Sequence, residues 1–282
     1  MLDLNSSLID TDWLAANLNE PDLIVLDASI PPVVPGYVSY NRNGHFSAIQ
    51  GARRFDYDQV ICKPRSSLPH MMPSSQLFQE EVRKLGVNKD SAIVVYDDVG
   101  LYASPRAWWM FRAMGHTKVA VLDGGLPKWL SEGRDESDQY LSVDAGNFIA
   151  KVVDDLFFDF EGVLGALGDK GCTILDARSS ARFKGLEPEP RPEVRSGHIP
   201  NSKNLPFPSV LEGGELRSRD ELRSIFAELV SDNQKVITSC GSGVTACILT
   251  LAAEVAGYEN LAVYDGSWAE WGLPGKLPVA LD

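Results

Sequence analysis

The amino-acid sequence repeats itself, and this repeat limits the possible folds more than any other feature. Short blocks of the first half recur in the second half in the same order, at offsets of 149, 153 and 142 residues. The paired blocks are residues 24–29 (IVLDAS) and 173–178 (TILDAR), residues 44–45 and 197–198 (GH in both), and residues 121–125 (VLDGG) and 263–267 (VYDGS). The repeat predicts two copies of one domain of about 130 residues.

Each copy alternates short β-branched runs with helical stretches. The predicted strands cover residues 23–26, 92–96, 119–122, 173–176, 235–239 and 261–264. Predicted helices open near Ser74 and close at Gly86, begin at Pro105, and cover about 219–230 and 245–256 in the second copy. This alternation predicts an α/β fold in which each domain has a mostly parallel sheet with helices on both faces. The polar, acidic segment 131–147 is interpreted as the linker.

Charge and composition exclude several partners. The net charge is −13, which disfavours nucleic acid and anionic membranes as partners. We find no run of about 18 apolar residues, so no membrane span is expected. The four cysteines show no CxxC spacing, which argues against a disulfide framework or a zinc site. Without a signal-like N-terminal segment, we expect a cytoplasmic protein with no metal or organic cofactor.

The strongest candidate for chemistry is Cys240. It follows the predicted strand 235–239 and precedes a glycine-rich loop and an apolar helix, in the order CGSGVTA over residues 240–246. Gly241 and Gly243 permit tight turns that aim backbone N–H groups at one point, and the helix N-terminus adds its positive dipole end. Such a loop stabilises a thiolate, so Cys240 is predicted to be a nucleophile rather than an inert buried cysteine.

The other three cysteines and the histidines at positions 45, 116 and 198 are not assigned catalytic roles. Cys247 lies among apolar helix residues, and Cys62 and Cys172 have no supporting context. His45 and His198 are interpreted as structural, and nothing around His116 suggests chemistry.

The loop CGSGVTA resembles the active-site loop of the mercaptopyruvate sulfurtransferases in the rhodanese superfamily. The resemblance extends over the whole chain and includes the segments SPRAWWMFR at 104–112 and YDGSW at 264–268. It implies two tandem rhodanese-like domains, an N-terminal one at residues 1–138 and a C-terminal one at 148–282. Asp97 stands where the first copy would carry its cysteine, so the N-terminal domain is expected to be catalytically inactive.

The resemblance also assigns roles to other residues. It implies that Arg182 and Arg191 hold the carboxylate and keto group of 3-mercaptopyruvate, and that Gly241, Gly243, Val244 and Thr245 line the substrate site. Ser242, Asp58 and His70 are expected to assist proton transfer. One residue more than expected separates Asp58 from His70, which is where this chain departs most from the family.

Sulfur would then pass from the small-molecule donor to Cys240 as a persulfide, pyruvate would leave, and a thiol, cyanide or a thioredoxin-like protein would accept the sulfur. The main alternative is a thiosulfate-using rhodanese or a persulfide relay. Loops of thiosulfate users resemble CRKGVTA, whereas this chain has Gly241 and Ser242 in place of the two cations. A phosphatase would need arginine where Ala246 stands, and a non-catalytic binding module would not need Cys240.

Overall fold

The computed structural model describes residues 2–4, 6–43, 46–231 and 233–281, and His45 lies outside them. The chain divides into two compact units. The first comprises residues 1–64, 72–153 and 213–216, and the second comprises residues 65–71, 154–212 and 217–282. No helix within the described ranges is long and apolar enough to cross a membrane.

The strands are short and the helices alternate with them along the chain. The strands are β1 (Leu8–Ile9), β2 (Leu23–Asp27), β3 (Ala48–Ile49), β4 (Arg53–Arg54), β5 (Ala92–Tyr96), β6 (Val119–Leu122), β7 (Glu136–Ser137), β8 (Phe157–Phe158), β9 (Cys172–Asp176), β10 (Lys203–Asn204), β11 (Leu211–Glu212), β12 (Glu215–Leu216), β13 (Lys235–Ser239) and β14 (Leu261–Tyr264). The helices are α1 (Thr11–Asn17), α2 (Ser75–Lys84), α3 (Ser104–Ala113), α4 (Gly125–Ser131), α5 (Phe160–Ala166), α6 (Ser180–Phe183), α7 (Arg219–Ala227), α8 (Ala246–Ala256) and α9 (Ser267–Trp271).

Each unit is built on one five-stranded parallel sheet. The first sheet has the order β1-β6-β5-β2-β4, and the second has the order β8-β14-β13-β9-β10. The strands that the sequence repeat pairs, β2 with β9 and β6 with β14, occupy the same places in the two sheets. Helices flank both sheets, so the predicted α/β fold with two repeated domains is confirmed.

The central strands are buried along almost their whole length because both faces of a parallel sheet are covered. Every residue of β5 is buried, and β13 is buried after its first residue. Large aromatic side chains complete each core, Trp129 in the first unit and Trp268 with Trp271 in the second. Both sheets are therefore rigid platforms whose carboxyl ends can hold functional loops.

Element boundaries differ slightly from the sequence-based predictions. Helix α7 ends at Ala227 rather than near residue 230, and α8 begins at Ala246 rather than at 245. The polar segment 131–147 is not wholly irregular, since β7 within it pairs antiparallel with β3. Tyr140 in this segment donates a hydrogen bond to Asp27 at 2.8 Å. A strand of two residues has too few side chains to leave a periodic signal.

Candidate active site

Cys240 lies at the carboxyl end of β13, the middle strand of the second sheet. Its residue is 2% exposed, and its thiol forms no disulfide. Ligands of open parallel sheets bind at this edge, where loops leave the strands. Cys240 therefore places a thiol at the edge of the sheet where ligands usually bind.

Hydrogen bonds from the start of α9 hold the backbone around Cys240. The Cys240 N–H donates to Ser267 Oγ at 3.1 Å, and the Cys240 carbonyl accepts from the Trp268 N–H at 2.9 Å. The Gly241 carbonyl accepts from the Ala269 N–H at 2.9 Å. Ser267 itself is buried and has a left-handed φ of 48°. These contacts fix the position from which the thiol projects.

The loop after Cys240 forms a potential anion cradle. Gly243 has a φ of 77°, a conformation that favours glycine. Helix α8 starts three residues later, and its N-cap residue Thr245 makes no side-chain capping bond. The N–H groups of Ser242, Val244 and Thr245 donate no hydrogen bond to any described residue. Free N–H groups at a helix start stabilise negative charge, which suits a thiolate or a persulfide.

Asp97 shows what the corresponding loop does in the first unit. It follows β5, the middle strand of the first sheet, and is fully buried. Its Oδ2 atom accepts hydrogen bonds from the N–H groups of Tyr102 at 3.0 Å, Ala103 at 2.8 Å and Ser104 at 2.8 Å, and from Ser104 Oγ at 2.7 Å. The first loop is therefore a cradle already filled by its own carboxylate.

Arg182 is brought directly to the Cys240 loop. Its Nη2 atom lies 3.4 Å from the position that a Cβ atom on Gly241 would occupy. The guanidinium therefore lies next to the backbone of the loop at Gly241. The Arg182 side chain is 19% exposed, so part of it can still reach a bound anion. This placement agrees with the role that the family resemblance implies, although the role itself stays a prediction.

Two residues of this site, Glu189 and Arg178, were missed by the sequence analysis. The Glu189 side chain is 4% exposed and accepts from Arg182 Nη2 at 2.5 Å and from Arg178 Nη1 at 2.8 Å. Arg178 also pairs with Asp176, with Nη2 to Oδ2 at 2.6 Å. The only sequence signal was the position of Arg178 just after β9 and of Glu189 between two prolines.

The buried guanidinium of Arg178 is held charged by its partners. Burial lowers its pKa, but the charges and hydrogen bonds of Asp176 and Glu189 outweigh this effect, so the pKa is raised. The guanidinium also lies over the ring of Trp268, with its Cζ atom 4.3 Å from the ring centroid. Trp268 donates its backbone N–H to the Cys240 carbonyl. Trp268 therefore contacts both the ion-pair network of Arg178 and the backbone of the Cys240 loop.

Arg191 and Ser242 carry the least constrained polar groups of the predicted site. Both residues are partly exposed. The Arg191 guanidinium forms no hydrogen bond or ion pair with any residue in the described ranges, and the Ser242 hydroxyl likewise has no such partner. Both groups are therefore available to a ligand.

Asp58 and His70 fall in different compact units, the first and the second respectively. Asp58 accepts a hydrogen bond from Gln59 Nε2 at 2.8 Å. His70 is half-buried and has a left-handed φ of 56°. Residues 65–71, which contain His70, belong to the same unit as Cys240, although in the sequence they lie between two segments of the first unit. The proton-transfer roles of both residues stay predictions.

The other three cysteines and His198 occupy settings that offer no support for catalysis. Burial and nearby acidic groups raise the pKa values of the Cys62 and Cys172 thiols, which disfavours their thiolates. Cys247 is fully buried on α8, and its thiol contacts the Gly243 carbonyl at 3.3 Å. His198 stacks on Phe183 with ring centroids 3.8 Å apart, in keeping with a structural role. The described residues contain no cluster of three side chains that could hold a metal ion.

Comparison with known families gives a match over both halves of the chain. The family profile described as a rhodanese-like domain matches residues 10–132 and 160–273. The crystal structure of SseA from Escherichia coli, a 3-mercaptopyruvate sulfotransferase, superposes with a TM-score of 0.80 at 34% identity and covers 94% of this chain and 100% of SseA.

Curated relatives are similar over almost the same length. The 3-mercaptopyruvate sulfurtransferase of Escherichia coli strain K12 is 38% identical over 277 residues, which is 96% of each chain. The thiosulfate sulfurtransferase of Rattus norvegicus is 39% identical over 278 residues, which is 95% of this chain and 92% of the rat protein. Overall identity therefore does not separate the two sulfur donors, and the site itself has to do so.

Proposed function

The chain belongs to the rhodanese family, and on this premise we propose that it transfers sulfur from 3-mercaptopyruvate to an acceptor through a persulfide on Cys240. The observation that carries the proposal is the arrangement of backbone N–H groups in the loop after β13. In the first unit the Asp97 carboxylate accepts from the Tyr102 N–H, whereas around Cys240 the N–H groups of Ser242, Val244 and Thr245 have no acceptor among the described residues. A negatively charged sulfur at Cys240 would supply that acceptor.

The proposed reaction has two steps. The Cys240 thiolate attacks the sulfur of 3-mercaptopyruvate, a sulfur–sulfur bond forms, and the carbon–sulfur bond breaks. The electron pair of the broken bond leaves as the enolate of pyruvate, which takes up a proton with the help of Ser242, His70 and Asp58. A thiol or cyanide then attacks the outer sulfur and regenerates the Cys240 thiolate.

The charges of the residues assigned to the substrate site and of their ion-pair partners favour a donor with a single negative charge. Arg178, Arg182 and Arg191 supply three guanidiniums, and the carboxylates of Asp176 and Glu189 neutralise two of these charges. One positive charge remains, which matches one carboxylate of 3-mercaptopyruvate. Arginine also provides the planar pair of donors that a carboxylate accepts. Gly241, Gly243, Val244 and Thr245 would line the space between this carboxylate and the sulfur.

Sulfur loading of the intact chain tests the proposal directly. On mixing with 3-mercaptopyruvate and no acceptor, the protein should release one equivalent of pyruvate, and the peptide that contains Cys240 should gain the mass of one sulfur atom. Cys240→Ser should abolish both signals. Cys247→Ser is the matched control, because it removes a buried thiol from the helix that follows the loop and should retain both. Loading of any other cysteine in place of Cys240 would contradict the mechanism.

A thiosulfate donor is the second candidate, because the rat thiosulfate sulfurtransferase is as similar to the chain as the mercaptopyruvate enzymes are. Thiosulfate is a dianion, and the loop lacks cationic side chains at Gly241 and Ser242. We therefore expect kcat/KM to be higher for 3-mercaptopyruvate. Replacing Gly241 and Ser242 by arginine and lysine should shift the preference toward thiosulfate, and a wild-type preference for thiosulfate would overturn the assignment.

We further propose a thioredoxin-like protein as one acceptor and the reducing cytoplasm as the setting. Cys62, Cys172, Cys240 and Cys247 are all free thiols, which is typical of a reducing compartment. Turnover with reduced thioredoxin, compared with turnover with cyanide, tests the acceptor.

A further inference from the structure

A cavity of about 510 Å³ opens in the first unit, and none of its lining residues is assigned to sulfur transfer. It lies at the carboxyl ends of β2, β4 and β5, the edge of a parallel sheet at which ligands usually bind. Its polar lining includes Asp27, Ser29, Ser39, Asn41, Arg54 and Asp98. The first unit thus combines a filled anion cradle at Asp97 with a separate open cavity beside it.

The carboxylate of Asp27 is already satisfied by its neighbours. Its Oδ1 atom accepts from the N–H and the hydroxyl of Ser29, and its Oδ2 atom accepts from the Tyr140 hydroxyl at 2.8 Å. Arg54 Nη1 lies 3.7 Å from Oδ1 and balances the charge. Asp27 therefore needs nothing further from a ligand.

Asp98 differs, because only one of its carboxylate oxygens has donors. The residue is 3% exposed, and its Oδ2 atom accepts from Ser39 Oγ and from the Asn41 N–H at 3.4 Å. Its Oδ1 atom is buried and receives no hydrogen bond from any part of the chain that the structure describes. Burial raises the pKa of Asp98, and the nearby charges of Asp27 and Asp97 raise it further. A positively charged hydrogen-bond donor would give the Asp98 carboxylate a partner and would offset the repulsion from Asp27 and Asp97.

The walls of the cavity suit a cation on an apolar body. Pro31, Pro32 and Phe46 provide apolar surface, and the rings of Phe46 and Tyr140 meet edge to face with centroids 4.9 Å apart. Aromatic faces attract ammonium groups. Among the lining residues, two carboxylates face one guanidinium, so the cavity carries one net negative charge. Its sign is opposite to that of the Arg182 site, which disfavours the anionic sulfur donor as its ligand.

We propose that this cavity is a second ligand site, which binds a small primary amine with an apolar or aromatic body and places the ammonium group beside the Asp98 carboxylate. The apolar body packs between Pro32, Phe46 and Tyr140. The site is independent of the sulfur-transfer reaction, because none of its residues belongs to the Cys240 loop or to the arginine network.

Calorimetric titration of the full chain with benzylamine tests the proposal. Benzylamine should bind with one site per chain, whereas benzyl alcohol, which lacks the charge, and phenylacetate, which carries the opposite charge, should not. Asp98→Asn keeps the shape of the side chain and should weaken binding about tenfold or more. Asp22→Asn is the matched control, because it removes the same charge from an exposed turn before β2 and should leave the affinity unchanged.

A second variant protects the test against misfolding of Asp98→Asn. Val38 lines the cavity but is 55% exposed, so Val38→Trp should fold and block benzylamine by filling the opening. Equal affinities in wild type, Asp98→Asn and Val38→Trp would overturn the proposal, as would the absence of benzylamine binding to wild type. Equal weakening by Asp22→Asn would show non-specific attraction to an acidic protein and would also overturn it.

Discussion

The guanidinium of Arg182 donates to both carboxylate oxygens of Glu189, from Nη2 to Oε2 at 2.5 Å and from Nε to Oε1 at 3.3 Å. Glu189 also accepts from Arg178, so one nearly buried carboxylate positions two guanidiniums beside the Cys240 loop. A guanidinium held in this way presents its remaining N–H groups in a fixed direction, which lowers the entropic cost of binding a substrate carboxylate.

Glu189→Gln should destabilise the fold, because the change leaves the buried Arg178 with one counter-charge fewer. Removing one partner of a buried ion pair typically costs about 3 kcal/mol. The free energy of unfolding, measured in urea, should fall by roughly that amount. Glu187→Gln, at an exposed position two residues earlier, should change it by less than about 0.5 kcal/mol. Equal effects of the two substitutions would show that the network contributes nothing to stability.

Arg182→Lys should weaken substrate binding although the charge is kept. Lysine cannot contact a carboxylate and Glu189 with a planar pair of donors, so KM for 3-mercaptopyruvate should rise about tenfold with a smaller change in kcat. Steady-state pyruvate release measures both constants. Arg223→Lys on the exposed face of α7 should leave KM as it is. An unchanged KM in Arg182→Lys would remove this residue from the substrate site.

Gly243→Ala and Gly165→Ala should have effects of opposite sign. Gly243 has a φ of 77°, so alanine there should lower stability by about 1 kcal/mol and reduce sulfur loading of Cys240 by distorting the cradle. Gly165 lies within α5 with no atom within 4 Å of an added Cβ, so alanine there should stabilise the chain by about 0.5–1 kcal/mol. Thermal unfolding and pyruvate release report the two effects. Loss of stability in both variants would contradict the prediction.

Asp123 should make the stability of the chain depend on pH. Burial, with repulsion from Glu215, raises its pKa from 3.8 to about 6, although the Leu216 N–H donates to it at 2.9 Å. The folded state therefore holds a proton that the unfolded state has lost between these pH values. Its stabilising contribution is complete below pH 3.8 and is lost as the pH rises through about 6.

The corresponding experiment compares Asp123→Asn with wild type across this range. The variant does not titrate, so its free energy of unfolding relative to wild type should increase from pH 4 to pH 7. Asp22→Asn, at an exposed turn, should show a constant difference. A constant difference for Asp123→Asn as well would mean that the pKa of Asp123 is the same in both states.

Most of the fold was predictable from the sequence because its signals are local. The buried runs of β5 and β13 and the glycine-rich segment after Cys240 are contiguous in the chain, and the repeat aligns one copy with the other. The α/β fold, the rhodanese resemblance and the sulfurtransferase class are confirmed. The short strands β3 and β7 were not predictable, because strands of two residues depend on a partner far along the chain.

The sequence by itself determined the repeated domain, the nucleophile candidate and the loop that surrounds it. Only the tertiary structure showed that Glu189 joins Arg178 to Arg182, and that Trp268 connects Arg178 to the Cys240 backbone. It also showed that the Asp97 carboxylate fills its cradle while the loop after Cys240 keeps N–H groups without an acceptor in the described chain. Ion pairing and burial depend on which distant side chains the folded sheets bring together, and no local sequence pattern records those distances.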